Sequence, residues 1–428
     1  MPAGTHHSRE AIQTSQLEQL RSLVAELFPG NAFYSQKFNS VGVTFDVASL
    51  ADFSHRFPFT TKAELVENQR VNPPFGTNLT YPLDCYTRFH QTSGTTGTPL
   101  RWLDTRDSWE WALDNWTEVY RAAGVNPGDR VYFAFSFGPF LGFWTAFEAG
   151  TRMGALCIPG GGMSSSARLR AILDNDATVL CCTPTYAIRL AGVAAEENVD
   201  LRGTRLKTII VAGEPGGSIP AIRGRIEQLW PNARVFDHHG MTEVGPVSYE
   251  CPARPGVLHV IESAYYAEVI DPGSGKSVES GQTGELVLTT LGRTGSPLLR
   301  YRTGDLVKAD ARHCACGRNE LALIGGILGR TDDMIVVRGV NIYPSAVDEI
   351  VRATDDVFEY QVQVSTIHAL TELSLHIEPK PGCGDVAGLV GKLERSFQTQ
   401  FALRIPVTSV PIGTLPRFEM KAKRWVRS

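Results

Sequence analysis

The chain has 428 residues, enough for more than one domain and a large core, with 41 lysines and arginines against 45 aspartates and glutamates for a formal net charge of -4. Neither sign dominates a long stretch, which argues against a nucleic-acid groove or an anionic membrane patch. At 43% hydrophobic and 20% charged residues, the composition is that of a globular protein whose default partner is a small molecule.

The opening sequence MPAGTHHSREAIQTSQ has no basic stretch leading into an apolar one, so the expectation is a cytoplasmic protein with reduced cysteines. Apolar residues at helical spacing between Glu10 and Phe28, stopped by Pro29-Gly30, predict an amphipathic helix. Next comes TSGTTGTP, from Thr92 to Pro99, where Ser93, Gly94, Thr95, Thr96 and Gly97 put hydroxyls and backbone amides around a turn that suits phosphate oxygens. It lacks the Gly-Lys-Ser/Thr ending of the nucleoside-triphosphatase loop.

The stretch Val131 to Phe147 carries no charge, but Gly138, Pro139 and Gly142 break it, so it reads as buried protein and not as a membrane span. Its aromatics, with Phe137, Phe140 and Trp144 as candidates, suit a flat apolar slot for a ring. From Val131 to Ala212, β-rich runs (VYFAF, TVLCCT, TIIVAG) alternate with helical segments, predicting a largely parallel, helix-covered sheet.

Beyond residue 255, strands and turns predict a β-rich subdomain. The rest predicts a helix near Ser345 to Ala353, strands near Tyr360 to Ser365 and Glu372 to Ile377, a helix near Gly388 to Phe401 and a strand near Val407 to Val410. The fold class is therefore α/β. A large N-terminal domain, residues 1–329, combines helix-covered sheets with the β-rich subdomain, and a small mobile α+β lid follows over 330–428.

Cys251, His259, Cys314 and Cys316 form C-x7-H followed by C-x-C, with His313 as a rival to His259. Three thiols and an imidazole suit a closed tetrahedral structural zinc site. The competing reading is four unrelated residues at strand ends.

Taken in order, TSGTTGTP, HHGMTEVGP (238–246), YRTGDL (301–306), GRTDDMIVVRGVNIYP (329–344) and PRFEMKAKR (416–424) resemble the motifs of the adenylate-forming superfamily. AGEPGG (212–217), YEC (249–251) and the compact length make the chain most similar to its phenylacetate-CoA ligase-like branch. The resemblance covers about residues 90 to 424 and implies a two-step reaction. A carboxylate attacks the α-phosphate of ATP to give acyl-AMP and pyrophosphate, and the thiol of coenzyme A then takes the acyl group.

By the same resemblance Ser93, Gly94, Thr95, Thr96, Gly97, Gly213, Glu214, Pro215, Asp237, His238, Gly240, Met241, Thr242, Asp305 and Arg330 hold the nucleotide. Asp305 takes the ribose diol, and Glu243 holds Mg²⁺ against the triphosphate. Gly213 and His239 border the acyl substrate with the aromatic candidates, and Asp332 marks the pivot of the lid. Lys421 bridges carboxylate and phosphate during adenylation.

Two positions depart from the family pattern: Met420 replaces the usual glycine before Lys421, leaving Lys423 as a rival, and His239 stands where an aromatic is common. His239 is a catalytic candidate with Lys421 and Glu243, since imidazole can hydrogen-bond or shuttle a proton; it could stack on adenine, face the acyl pocket or be structural. The function implied is an aryl acid-CoA ligase acting on an aryl or arylacetic acid. The alternatives are an adenylation enzyme that loads a carrier protein and a catalytically inactive nucleotide-binding protein. A homodimer is an analogy with relatives.

Overall fold

In the computed structural model the residues described are 8–92, 98–310, 313–333, 335–338, 340–367, 370–418 and 423–427. Helices α1 (Arg9–Gly30), α2 (Ala32–Ser40), α3 (Leu50–Arg56) and α4 (Lys62–Val71) open the chain. Leu20, Leu23, Val24 and Leu27, spaced to share one face of α1, are all buried. The helix breaks where the sequence predicts, since Phe28 has non-helical φ/ψ of -108° and 124°. A capping box between Thr61 and Glu64 starts α4 and sets Lys62 as its first residue.

Strands β1 (Tyr86–Gln91) and β2 (Arg101–Thr105) pair antiparallel. The base of their connection is closed by Thr92, which donates its N–H to Leu100 O and accepts from Leu100 N at Oγ1, each at 3.0 Å. Helix α5 (Arg106–Ala122) follows directly.

The predicted βα alternation is β3 (Arg130–Phe133), α6 (Leu141–Arg152), β4 (Leu156–Pro159), α7 (Ser165–Asp174), β5 (Val179–Cys182), α8 (Pro184–Glu196), β6 (Thr208–Val211), α9 (Pro220–Leu229) and β7 (Arg234–Asp237). Among the described residues the strands form one parallel sheet in the order β4-β3-β5-β6-β7. Its two faces are covered by different cores: Val131 and Phe133 pack with residues of α5 and α6, and Tyr132 with residues of α7, α8 and α9. Burial on both sides explains why β5 and β6 read as continuous apolar runs.

A short pair, β8 (Gly240–Met241) and β9 (Gly245–Pro246), leads into the antiparallel subdomain. Its strands are β10 (Ser248–Glu250), β11 (Val257–Val260), β12 (Tyr265–Ile270), β13 (Thr283–Thr290), β14 (Tyr301–Asp310), β15 (Ala322–Ile324) and β16 (Gly329–Arg330). They run in the order β10-β11-β15-β14-β13-β12, with β16 on β14.

The remainder is β17 (Ile335–Val337), β18 (Val340–Ile342), α10 (Pro344–Arg352), β19 (Val357–Ile367), β20 (Leu370–Pro379), α11 (Val386–Phe401), β21 (Val407–Ser409) and β22 (Trp425–Arg427). β21-β20-β19-β22 form a sheet whose apolar face packs on Leu389, Leu393 and Phe397 of α11. The strand β22 has no counterpart in the sequence reading, because three residues are too few for a period.

Glu359 and Glu378 stand opposite each other on β19 and β20, both buried. Arg424 donates Nε to Glu359 at 2.7 Å, and Arg417 pairs with Glu378. Among the described residues no helix is long and apolar enough to cross a membrane.

Candidate active site and metal cluster

The carboxyl end of β7 delivers the first part of the site. Asp237 accepts from Ser218 Oγ at 2.5 Å, and burial pushes its carboxyl above the ordinary aspartate value. His238 turns inward: its ring packs against Trp116 with centroids 4.4 Å apart, and Nδ1 lies 2.6 Å from Ser248 O. A carbonyl only accepts, so Nδ1 carries the proton. Burial drives the His238 pKa down to about 4, so the ring is neutral at pH 7.

His239 turns the other way. Its Nε2 is 2.9 Å from Asp305 Oδ2, and its Nδ1 is buried without a hydrogen-bond partner among the described residues. The other Asp305 oxygen accepts from Arg330 NH1 at 2.9 Å. Strand register brings these groups together, because Asp305 on β14 is the antiparallel partner of Arg330 on β16 and their side chains share a face. Gly304 makes room: its φ is +77°, and a Cβ there would lie 2.8 Å from Arg330 NH2. Arg330 also donates to Asp332 at 2.7 Å. Burial alone would lower the guanidinium's pKa, but Asp332 and Asp305 raise it above its usual value.

Glu243, in the turn between β8 and β9, is buried and forms an ion pair with Lys62 Nζ at 3.0 Å. Tyr301 donates its hydroxyl to Glu243 Oε1 at 3.4 Å. Burial, then the facing Glu243, drives the tyrosine pKa far up, so the hydroxyl keeps its proton. Sequence reading missed Lys62 and Tyr301. Lys62 comes from α4, about 180 residues before Glu243, and no local motif marks it.

Of the other nucleotide candidates, Gly213 and Pro215 are exposed on the loop after β6, while Glu214 accepts from Thr185 N at 2.8 Å in the first turn of α8. Gly240, Met241 and Thr242 are half-buried in the turn that carries Glu243. Ser93, Gly94, Thr95, Thr96 and Gly97 lie outside the described residues, as do Met420 and Lys421. Lys423 is exposed. Phe137 and Trp144 meet edge to face with centroids 5.0 Å apart, and Trp144 Nε1 donates to Gly138 O at 2.9 Å. Phe140 meets Phe143 at 5.9 Å. All three are half-buried; Phe140 caps α6 and Trp144 lies within it, and α6 packs against β8 and β9.

The four cluster residues converge. One ligand atom from each of Cys251, His259, Cys314 and Cys316 lies within 4.8 Å of every other. Cys251 and Cys314 sulfurs are 3.7 Å apart, and Cys316 Sγ is 3.4 Å from His259 Nε2. Metal–ligand bonds of about 2.0–2.3 Å make tetrahedron edges of roughly 3.3–3.8 Å, so these two contacts match the edges of a tetrahedral zinc site. His259 is held there because β11 pairs with β15, whereas the rival His313 is exposed and bonds Asn319 at 2.8 Å. Burial lowers the His259 pKa to about 4, which leaves the imidazole neutral, as a ligand must be.

A parallel sheet whose last strand leads into His239, joined to an antiparallel subdomain that supplies Asp305 and Arg330, places the site at the carboxyl end of the sheet, where α/β enzymes bind their ligands. Comparison with known proteins narrows the class. Residues 86–292 match the AMP-binding enzyme family and residues 339–427 match the AMP-binding enzyme C-terminal domain. The chain is 31% identical to the phenylacetate-coenzyme A ligase of Pseudomonas putida over 428 residues, 97% of this chain and 94% of that one.

A solved 2-hydroxyisobutyryl-CoA ligase in its postadenylation state superposes with a TM-score of 0.94 at 28% identity, covering 100% of this chain and 94% of the other. The same enzyme in its thioesterification state gives 0.75 at 30% identity, covering 99% and 91%. The chain belongs to the adenylate-forming superfamily, in its phenylacetate-CoA ligase-like branch, among the AMP-forming acid-thiol ligases.

Proposed function

We propose that the chain activates an aryl or arylacetic carboxylic acid with ATP and transfers the acyl group to coenzyme A. The observation that carries this reading is the convergence of His239, Asp305 and Arg330 beside the turn of Glu243. Asp305 offers the ribose diol two acceptor oxygens, and Arg330 fixes their direction by donating NH1 to one of them. Glu243 is the residue to hold the Mg²⁺ that accompanies ATP, which supplies charge neutralisation at the phosphates.

The acid's carboxylate attacks the α-phosphorus, the bond to pyrophosphate breaks, and the thiolate of coenzyme A later expels AMP. In this reading residues 1–329 bind ATP and acid, and residues 330–428 form the mobile lid that brings Lys421 to the reacting oxyanion. The Cys251, His259, Cys314 and Cys316 cluster holds zinc as a structural brace, with no position left open for chemistry.

The aromatic stretch around Phe137, Phe140 and Trp144 supports a ring-bearing acid. A small 2-hydroxy acid is the second reading, favoured by the superposition on 2-hydroxyisobutyryl-CoA ligase. Acid-dependent pyrophosphate exchange with phenylacetate, benzoates and 2-hydroxyisobutyrate, followed by addition of coenzyme A, separates the two. Exchange with aliphatic hydroxy acids alone rejects the aromatic assignment, and exchange without thioester formation redirects the second step to a carrier protein. No exchange with any acid rejects catalysis.

A further inference from the structure

The turn that presents Glu243 makes no regular ladder with its own carbonyls, yet three consecutive ones are held by side chains from distant strands and loops. Thr242 O and Glu243 O accept from Arg293 NH1 at 3.0 and 2.7 Å. Val244 O accepts from the Tyr265 hydroxyl at 2.7 Å. Arg293 is fully buried, lies over the Trp102 ring at 5.3 Å, and donates Nε and NH2 to the two oxygens of Asp104, each at 2.7 Å. Asp104 is also fully buried, on β2, with His90 Nδ1 of β1 at 3.7 Å.

One guanidinium thus spans two parts of the site: the β1–β2 hairpin, whose connection contains residues 93–97, and the turn that carries Glu243. A planar fork with five donors can make this bridge, whereas a single ammonium cannot reach a carboxylate bidentately and two carbonyls on the opposite side. Burial alone would raise the Asp104 carboxyl, but the Arg293 charge, aided by His90, holds it below its ordinary value, so the pair is ionic. An ion pair in a fully buried place is a poor source of net stability, since desolvation offsets most of the attraction. What the geometry does provide is a fixed direction for two successive peptide groups, and with them for the Glu243 side chain.

We infer that Arg293, anchored by Asp104, is a positioning residue that aims Glu243 at the magnesium-bound phosphates and fixes it relative to the phosphate-loop hairpin. This rests on the reading of Glu243 as the carboxylate for the metal. Groups that orient a metal ligand typically change metal affinity by about 10–100-fold when removed.

The test is calorimetric titration of the full chain with α,β-methylene-ATP, with and without magnesium, using wild type, Arg293→Lys, Asp104→Asn and Glu243→Gln. Arg293→Lys keeps a cation for Asp104 and is the variant most expected to fold, and melting temperatures report whether each variant does. The expected result is a loss of about tenfold or more in the magnesium-dependent gain in affinity for Arg293→Lys and Asp104→Asn. Their magnesium-free affinity stays within about twofold of wild type, too small a change to count as a lost contact. Unchanged magnesium dependence in a folded Arg293→Lys variant overturns the proposal, as does an equal fall with and without the metal. If Glu243→Gln leaves the magnesium gain intact, the metal assignment of Glu243 fails first. If Glu243→Gln removes the gain and Arg293→Lys does not, only the positioning role fails.

Discussion

The inward-facing His238 makes stability fall in mild acid by an amount the structure sets. Its pKa is 6.5 in an ordinary environment and about 4 when buried against Trp116. The folded value is the depressed one, so between the two values the unfolded chain binds the extra proton and acid favours unfolding. The contribution is complete above about pH 7, is lost as pH falls, and levels off below about pH 4, where the full shift corresponds to roughly 3 kcal/mol. Part of it shows earlier: about 1 kcal/mol is gone at pH 5.5 and about 2 kcal/mol at pH 5.

His238→Asn supplies an amide N–H for Ser248 O without a titrating group, and its smaller side chain lowers stability by an amount that does not depend on pH. Urea unfolding of both proteins at pH 8, 5.5 and 5 therefore isolates the effect as a difference of slopes. If wild type and His238→Asn lose the same stability between pH 8 and 5, to within about 0.5 kcal/mol, the ring is not a buried neutral group and the inward orientation is wrong.

Further outcomes follow from the other groups. Elemental analysis should find close to one zinc per chain, and the Cys314→Ser, Cys316→Ser double variant should lose it. Less than a tenth of an equivalent in wild type removes the brace. Asp305→Ala should raise the KM for ATP at least about tenfold by removing a charged acceptor from the ribose, and a normal KM would take the ribose contact away from β14. Lys421→Ala should slow adenylation by about 10²-fold or more while sparing thioester formation from supplied acyl-adenylate. Equal loss in both half-reactions would reassign that lysine, with Lys423 the next to test.

The sequence shows clearly what depends on short-range pattern. The βα alternation from Val131 onward is visible because each strand is a run of buried apolar residues, and the Asp305–Arg330 pairing is prefigured by two strings that register later joins. The metal cluster was half visible: residue types and spacing nominate four ligands, but only the β11–β15 pairing decides for His259 over His313. His238 and His239 are adjacent and identical in sequence, and backbone direction alone sends one to Trp116 and the other to Asp305. Lys62, Asp104 and Arg293 were invisible because each owes its place to contacts between segments far apart in the chain, where neither period nor motif carries information, and Tyr301 stands in the YRTGDL string without any sign there that it faces Glu243.

The facing glutamates of β19 and β20 bear on how the polypeptide matures. Two like charges opposite each other in a sheet repel, and leaving either one buried without its arginine costs about 3–5 kcal/mol. Their counterions, Arg417 and Arg424, follow them in the chain by 39 and 65 residues, and β22 then pairs parallel with β19 across Val362 and Trp425. A nascent chain halted before Arg417 therefore leaves Glu378 without its cation and Glu359 with Arg352 alone, at 3.6 Å, and the hairpin should stay open to proteases until synthesis supplies the two later guanidinium groups.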